Sequence, residues 1–164
     1  MHMRRKSDHI KLPQVIPALM STFEQSYLDE LFKVQEQLAN SEGSLYEFFK
    51  SSWPYIEGNM PYIDSWHIKA IAEHLEAVYA RQIKKLIINV PPRTGKTNLI
   101  SVAFPAWVWI HNPSERFLTV SCVNSLSLEH AQKNRALLES NWYQDNWGYR
   151  FPLLRDQNVK SFFQ

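Results

Sequence analysis

The sequence predicts an α/β fold in which a parallel sheet with helical crossovers follows a helical N-terminal segment. Segments with helical periodicity fill the first 80 residues, and two short β-branched apolar runs, at 85–90 and 116–123, then alternate with further helical segments. The chain of 164 residues is 45% hydrophobic and 21% charged, so it is long and apolar enough to bury the core of one domain. We expect a helical segment at 1–60 and the α/β part at 61–164.

Two helices are predicted in the helical segment. From residue 21 to residue 40, apolar side chains recur at three- and four-residue steps, as in an amphipathic helix. Ser44 and Glu47 have the spacing of a capping box, which predicts a second, aromatic helix that begins there. Pro54 should end that helix because proline cannot donate to the helical ladder.

A third helix and the first strand are predicted next. Asp64 or Ser65 can cap a helix that should run to about Ala80. Residues 85–90 read K-L-I-I-N-V, which is typical of a strand buried on both faces in a parallel sheet. The sheet should therefore begin at this run.

A helix, a second strand and a last helix complete the predicted order. The first of these helices covers 95–110; Pro105 should kink or divide it, and Pro113 should stop it. Residues 116–123 form the second predicted strand, and 124–140 form the last helix. The alternation of strands and helices is the reason for expecting parallel crossovers.

Composition and charge exclude several classes of protein. Eighteen Lys and Arg against sixteen Asp and Glu leave a net charge of +2, too small by itself to indicate a nucleic-acid or membrane partner. The positive excess lies in 61–164, where we expect any anion site. The single Cys122 excludes an intramolecular disulfide framework and a thiolate zinc cluster. No stretch is apolar enough for a signal peptide or a membrane-spanning helix.

The segment at 88–99, I-N-V-P-P-R-T-G-K-T-N-L, carries the strongest functional signal. It places Gly95, Lys96 and Thr97 where the first predicted strand meets a helix. Amides at a helix N-terminus form an anion site, Lys96 adds a positive charge, and the Thr97 hydroxyl can ligate Mg²⁺. The complete phosphate-loop pattern needs glycine at position 90, which is Val90 here. A lysine-containing turn that only caps a helix is the alternative.

Taken together, these segments resemble the large terminase subunits of tailed bacteriophages, the ATP-driven motors that package DNA. The resemblance is strongest in I-K-K-L-I-I-N-V-P-P-R-T-G-K-T at 83–97, because such proteins commonly carry a P-P-R-x-G-K-S loop without the first glycine. It extends over most of the chain through S-L-Y-E-F-F at 44–49, D-S-W-H-I-K-A-I-A-E-H-L-E-A-V at 64–78, P-A-W-V-W at 105–109 and V-S-C-V-N-S-L-S at 120–127.

The resemblance implies an incomplete P-loop NTPase-type parallel sheet with ATP and Mg²⁺ as cofactors. It assigns nucleotide binding to Thr94, Gly95, Lys96 and Thr97, with the Thr97 hydroxyl as the Mg²⁺ ligand. Lys96 and Arg93 would be the catalytic residues, since Arg93 matches a loop arginine thought to sense or stabilise the γ-phosphate. A salt bridge or a solvent-facing side chain is an equally good account of Arg93.

The resemblance also implies an adenine site just upstream of the loop. Trp66 and His67 match a segment in which a ring can stack on the base and a polar edge can hydrogen-bond it. Core packing of Trp66 and a backbone hydrogen bond from His67 are the alternatives.

A packaging ATPase further needs a strand of four apolar residues that ends in Asp-Glu, to hold Mg²⁺ and to activate water. No such strand follows Thr97 in this sequence. We therefore expect a protein truncated before the acidic strand and the nuclease domain. Such a chain should bind ATP but hydrolyse it negligibly.

Partners and alternatives follow from the same resemblance. The complete protein would act on double-stranded DNA with a small terminase subunit and a portal in the host cytoplasm, with no membrane partner and with homo-oligomerisation left open. One alternative is a non-enzymatic remnant or interaction module that binds through its helical N-terminal segment. A weaker alternative is another helicase-like P-loop ATPase.

Overall fold

The computed structural model describes the backbone of residues 12–150 and the side chains of residues 24–150. The described part is helical, and it contains no β-strand. The predicted α/β fold with a P-loop-type parallel sheet is therefore wrong, and the architecture is mostly α. The helices are α1 (Leu12–Gly43), α2 (Leu45–Glu57), α3 (Trp66–Tyr79), a π-helix (Asn98–Ala103) that leads into α4 (Phe104–His111), α5 (Asn124–Glu139), α6 (Asn141–Trp147) and a short 3₁₀ turn (Gly148–Arg150).

The chain divides into two compact units. The first ends at Gln37, and its described part is a stretch of α1. Every described side chain of that stretch, from Glu24 to Gln37, is exposed. The second unit begins at Leu38 and contains the buried core, which α2, α3, the π-helix and helices α4 to α6 build.

Aromatic side chains form the centre of this core. Phe48 of α2 is fully buried, and its ring lies 5.6 Å from Trp142, 6.4 Å from Tyr143 and 5.8 Å from Trp147, measured between centroids. Tyr143 is also fully buried, and its hydroxyl donates to the carbonyl of Ala106 at 2.8 Å. Helices α2, α4 and α6 are thus held by ring packing and by a satisfied polar group.

The first predicted strand, at 85–90, is neither a helix nor a paired strand. Leu86, Ile88 and Val90 pack against the core, whereas Ile87 is 87% exposed. Only one face of the run is covered, and no backbone ladder joins it to another described segment. The alternation of exposure fits an extended segment lying on a helical surface, and the prediction of a strand buried on both faces is wrong.

The second predicted strand, at 116–123, also has no regular secondary structure; it ends in a bend at 122–123 and is more exposed than the first. Its Phe117 ring makes edge-to-face contacts with Phe104 and Trp109. Beyond this anchor, Leu118 is 90% exposed and Val120 is 81% exposed. Strand formation needs a neighbour for the backbone groups, and β-branched composition alone does not provide one.

The start of α2 differs from the predicted capping box. Ser44 is the N-cap residue, but its side chain makes no capping hydrogen bond. The Glu76 carboxylate of α3 instead accepts from the backbone N–H of Leu45 at 2.7 Å, while Glu47 pairs with Lys50. The cap therefore comes from another helix, and it links α2 to α3.

Proline positions also affect the helices. Pro54 does not end α2, which continues through it to Glu57. The stacked rings of Tyr55 and Trp142, 5.1 Å apart, help to hold the last turn despite the missing N–H. Pro105 marks the predicted division, because the π-helix gives way to α4 at Phe104. The predicted start of α3 at Ser65 is confirmed.

Candidate functional site

The segment at 91–97, called the loop below, follows the run at 85–90; its last two residues, Lys96 and Thr97, already belong to the helix that continues into the π-helix. Arg93 and Gly95 both have left-handed backbone conformations, with φ of 63° and 76°. The Thr94 hydroxyl donates to the carbonyl of Pro91 at 2.9 Å and closes the turn between them. A non-glycine residue in this conformation costs about 1 kcal/mol, so the rest of the loop must hold Arg93 in place.

The helix after the loop begins at Lys96. Its first ladder bond runs from the N–H of Leu99 to the carbonyl of Gly95 at 3.1 Å. The amides of Lys96, Thr97 and Asn98 therefore precede the ladder and form the helix N-terminus, which is the part of a helix that attracts anions. The strand of the predicted strand–loop–helix junction is wrong, since no strand precedes the loop in the described chain, whereas the helix start at Lys96 is present.

Lys96 is bound to its own loop. Its Nζ atom donates to the carbonyl of Val90 at 2.8 Å, across the base of the turn. An ammonium group has three N–H donors, so this bond leaves donors for a ligand. Val90, the residue that departs from the phosphate-loop pattern, thus orients the lysine through its backbone.

An aromatic floor lies beneath Gly95. A Cβ atom added at this position would lie 3.6 Å from Cδ1 of Ile68, 4.0 Å from Cζ of Phe49 and 4.0 Å from Cζ3 of Trp53. The loop therefore rests on side chains of α2 and α3. The sequence analysis did not assign Phe49 and Trp53 to the site, because no local pattern connects residues more than 40 positions apart.

The structure brings one of the two predicted adenine-site residues to the loop. Nε2 of His67 lies 3.2 Å from the carbonyl oxygen of Thr94, and the hydroxyl of Ser65 is 3.5 Å from the same nitrogen. A carbonyl only accepts, so the contact with Thr94 is a hydrogen bond when Nε2 carries the proton. Trp66 is 83% exposed, and its ring meets that of His67 edge to face at 6.2 Å. Core packing of Trp66 is therefore wrong.

The remaining predicted residues lie on either side of this junction. Thr97 is half-buried in the first helical turn, in right-handed helical conformation. Arg93 is exposed at the tip of the loop. Within residues 24–150, no three His, Cys, Asp or Glu side chains gather into a metal-binding group. A Mg²⁺ ion at Thr97 would therefore take its remaining ligands from the phosphates of a nucleotide and from water.

A charged network lies next to the loop and includes Asn98, the residue that follows Thr97. The Glu57 carboxylate accepts a hydrogen bond from Asn98 at 2.7 Å and forms an ion pair with Lys133 of α5. The hydrogen bond from Lys133, together with that from Asn98, holds the pKa of Glu57 below its usual value of 4.5. Glu57 is thus an ionised carboxylate whose charge Lys133 offsets. Sequence reasoning missed this network because its members come from three distant segments.

Comparison of the chain with protein-family models, with curated proteins and with solved structures finds no match. None of the described helices has the length and apolar character needed to cross a membrane.

Proposed function

We propose that the loop at 91–97 binds ATP with Mg²⁺ and that the chain is the nucleotide-binding part of a terminase-like DNA-packaging motor. The observation that carries the proposal is the junction at Gly95, where a left-handed glycine leads directly into a helix whose first residue, Lys96, has its ammonium group bound to the Val90 carbonyl of the same loop. Backbone amides, a helix dipole and a cation within one short loop suit a polyphosphate.

Each residue of the junction has a role in the proposal. The amides of Lys96 and Thr97 donate to phosphate oxygens, and the Lys96 ammonium group neutralises their charge. The Thr97 hydroxyl ligates Mg²⁺, which supplies further positive charge at the phosphates. Arg93, at the exposed tip, can reach an outer phosphate from the opposite side of the loop.

Trp66 and His67 would hold the base. The exposed Trp66 ring offers a stacking surface, and the bond of His67 to the Thr94 carbonyl fixes that surface next to the loop. The role in packaging, with double-stranded DNA, a small terminase subunit and a portal as partners, rests on the sequence resemblance. The described chain offers no acidic pair after the loop, so we propose binding with negligible hydrolysis.

An interaction module is the second candidate function. The observation that favours it is the row of exposed apolar side chains on α1 between residues 24 and 37. A helix of this kind needs a partner to cover its apolar face, whatever the loop binds.

The test is titration of the chain with ATP and Mg²⁺ by calorimetry. Lys96→Ala should weaken binding about ten- to a hundredfold, because a charge-assisted contact contributes about 1.5–3 kcal/mol. Lys84→Ala is the matched control, since it removes the same charge from an exposed position just before the run at 85–90. Equal affinities of the wild type and Lys96→Ala would contradict the proposed site.

Two further variants separate the base from the phosphates. Trp66→Ala should weaken the binding of ATP but leave that of inorganic tripolyphosphate unchanged. Thr97→Val should abolish the gain in affinity that Mg²⁺ gives, whereas Thr97→Ser should retain it because the hydroxyl is kept. A Trp66→Ala variant that loses both ligands equally would contradict the base-stacking role.

A further inference from the structure

The Glu57 carboxylate places a negative charge close to the loop at 91–97. It accepts a hydrogen bond from the side-chain amide of Asn98 at 2.7 Å, and the backbone amide of Asn98 belongs to the helix N-terminus at the loop. Four bonds of about 1.5 Å separate the two nitrogen atoms of Asn98, so the carboxylate oxygen lies within about 8 Å of that backbone amide. The Debye length at physiological ionic strength is also about 8 Å, so the carboxylate repels an anion bound at this amide.

The position of Glu57 in α2 adds to the negative potential. Glu57 is the last residue of this helix, and the C-terminus of a helix carries about half a negative charge. Its hydrogen bond with Asn98, however, joins α2 to the first turn of the helix after the loop. Glu57 is therefore useful as an acceptor that holds this turn, whereas its charge is unfavourable for an anion site.

Lys133 of α5 supplies the offsetting charge. Its ammonium group forms an ion pair with the same Glu57 oxygen that accepts from Asn98. Glu129, one turn earlier in α5, forms a second and longer ion pair with Lys133 at 3.4 Å. The side chains of Lys133 and Glu57 are 26% and 21% exposed, so solvent and salt screen their interaction less than that of a surface pair.

We propose that Lys133 is a positioning residue of the nucleotide site, which neutralises the Glu57 carboxylate and thereby permits a polyphosphate to bind at the loop. The inference rests on the proposed function, since it gives α5 a part in binding at 91–97. Lys133 acts on the ligand through Glu57 and Asn98. Its effect should therefore depend on the charge of the ligand and on ionic strength, which the loss of a purely structural contact would not.

Calorimetric titration of the full chain with ATP and with ADP, at low and at high salt, tests the inference. Lys133→Met should weaken ATP binding about three- to tenfold at low salt, with a smaller effect on ADP and at high salt. Glu57→Gln combined with Lys133→Met removes both charges of the pair. The amide oxygen at position 57 can still accept from Asn98, so the affinity should return to that of the wild type.

Glu57→Gln alone provides a test that does not depend on the folding of Lys133→Met. It leaves the positive charge of Lys133 without its nearest carboxylate and should tighten ATP binding about threefold at low salt. Circular dichroism of each variant verifies the fold.

Arg135→Met is the matched control. Arg135 lies two residues further along α5, about 200° around the helix from Lys133, and pairs with the Glu139 carboxylate at 2.9 Å. The substitution also removes a cation from a carboxylate, but on the opposite side of the helix. It should therefore leave the affinity for ATP unchanged.

The outcomes separate the inference from the proposed function. If the wild type binds ATP, an unchanged affinity of Lys133→Met, or a loss that neither high salt nor Glu57→Gln reduces, would overturn the inference alone. The same holds if Glu57→Gln by itself weakens binding as much as Lys133→Met. A wild type that binds neither ATP nor inorganic tripolyphosphate would contradict the proposed function and the inference together.

Discussion

The helical core and the two runs at 85–90 and 116–123 are both rich in apolar residues, but the core buries them and the runs leave many of them exposed. In the core, Leu45, Phe48, Leu99, Leu137 and Tyr143 are fully buried. In the runs at 85–90 and 116–123, Ile87, Leu118 and Val120 are more than 80% exposed. A helix satisfies its backbone within one segment and is then free to bury one face, whereas an extended segment needs a neighbour before it can bury either face. Apolar composition therefore indicates which segments gain free energy from burial. Whether they are buried depends on whether their backbone groups find hydrogen-bond partners.

The same substitution in the two regions should give the largest difference. Leu137→Ala removes a fully buried side chain of α5 and should lower the free energy of unfolding by about 2–5 kcal/mol. Leu118→Ala removes a side chain that is 90% exposed and should change it by less than about 0.5 kcal/mol. Urea unfolding followed by far-ultraviolet circular dichroism measures both values. A cost above 1 kcal/mol for Leu118→Ala would show that the run at 116–123 is packed in solution.

The elements predicted well from the sequence are those with local causes. The start of α3 at Ser65 and the span of α5 agree with the helical periodicity of these segments, which acts within a few residues, although neither N-cap side chain makes a capping hydrogen bond. The sheet was wrong because strand pairing is a property of two segments, and nothing in 85–90 or 116–123 specifies a partner. The capping box at Ser44 was wrong for the related reason that Glu76, a residue of another helix, takes its place.

In the candidate site, too, only the features with local causes were predictable from the sequence. The position of Gly95, Lys96 and Thr97 at a helix start is a local feature, and the structure has it. The contact between His67 and the Thr94 carbonyl agrees with the expected proximity of the two segments, although the sequence could not give its atoms. The aromatic floor of Phe49 and Trp53 and the Glu57–Lys133 pair depend on tertiary packing, so no pattern revealed them.

A charged clamp distinguishes the helical region further and makes its stability depend on pH. The Glu42 carboxylate accepts hydrogen bonds from Arg150 at 2.9 and 3.1 Å and from Trp147 at 3.3 Å. Burial acts to raise the pKa of Glu42, but these hydrogen bonds and the charge of Arg150 outweigh it, and the pKa lies below its usual value of 4.5. A lowered pKa stabilises the folded state above pH 4.5, and this contribution is lost as the pH falls through the folded-state pKa.

Glu42→Gln should therefore flatten part of the decrease in stability between pH 5 and pH 3. At neutral pH the substitution should cost about 0.5–1 kcal/mol, because the carboxylate is partly exposed and solvent screens the ion pair. Glu73→Gln, at an exposed position of α3, is the control. Thermal unfolding across this pH range gives the comparison. Parallel pH profiles for the wild type and Glu42→Gln would show that the clamp does not contribute.

The last prediction combines the smallest expected change in stability with a clear decrease in the exposed apolar surface. Ile87→Thr, Leu118→Thr and Val120→Thr together make the exposed side of both runs more polar while keeping residues that favour extended backbone. The combined variant should bind less of a hydrophobic dye than the wild type, and each substitution should change the free energy of unfolding by less than about 0.5 kcal/mol. The exposed apolar side chains of α1 also bind dye, but they are the same in the wild type and in the combined variant, so they do not affect the difference between the two. Dye binding that is unchanged in the combined variant would show that the two runs are covered in solution, and the contrast between them and the helical core would then be lost.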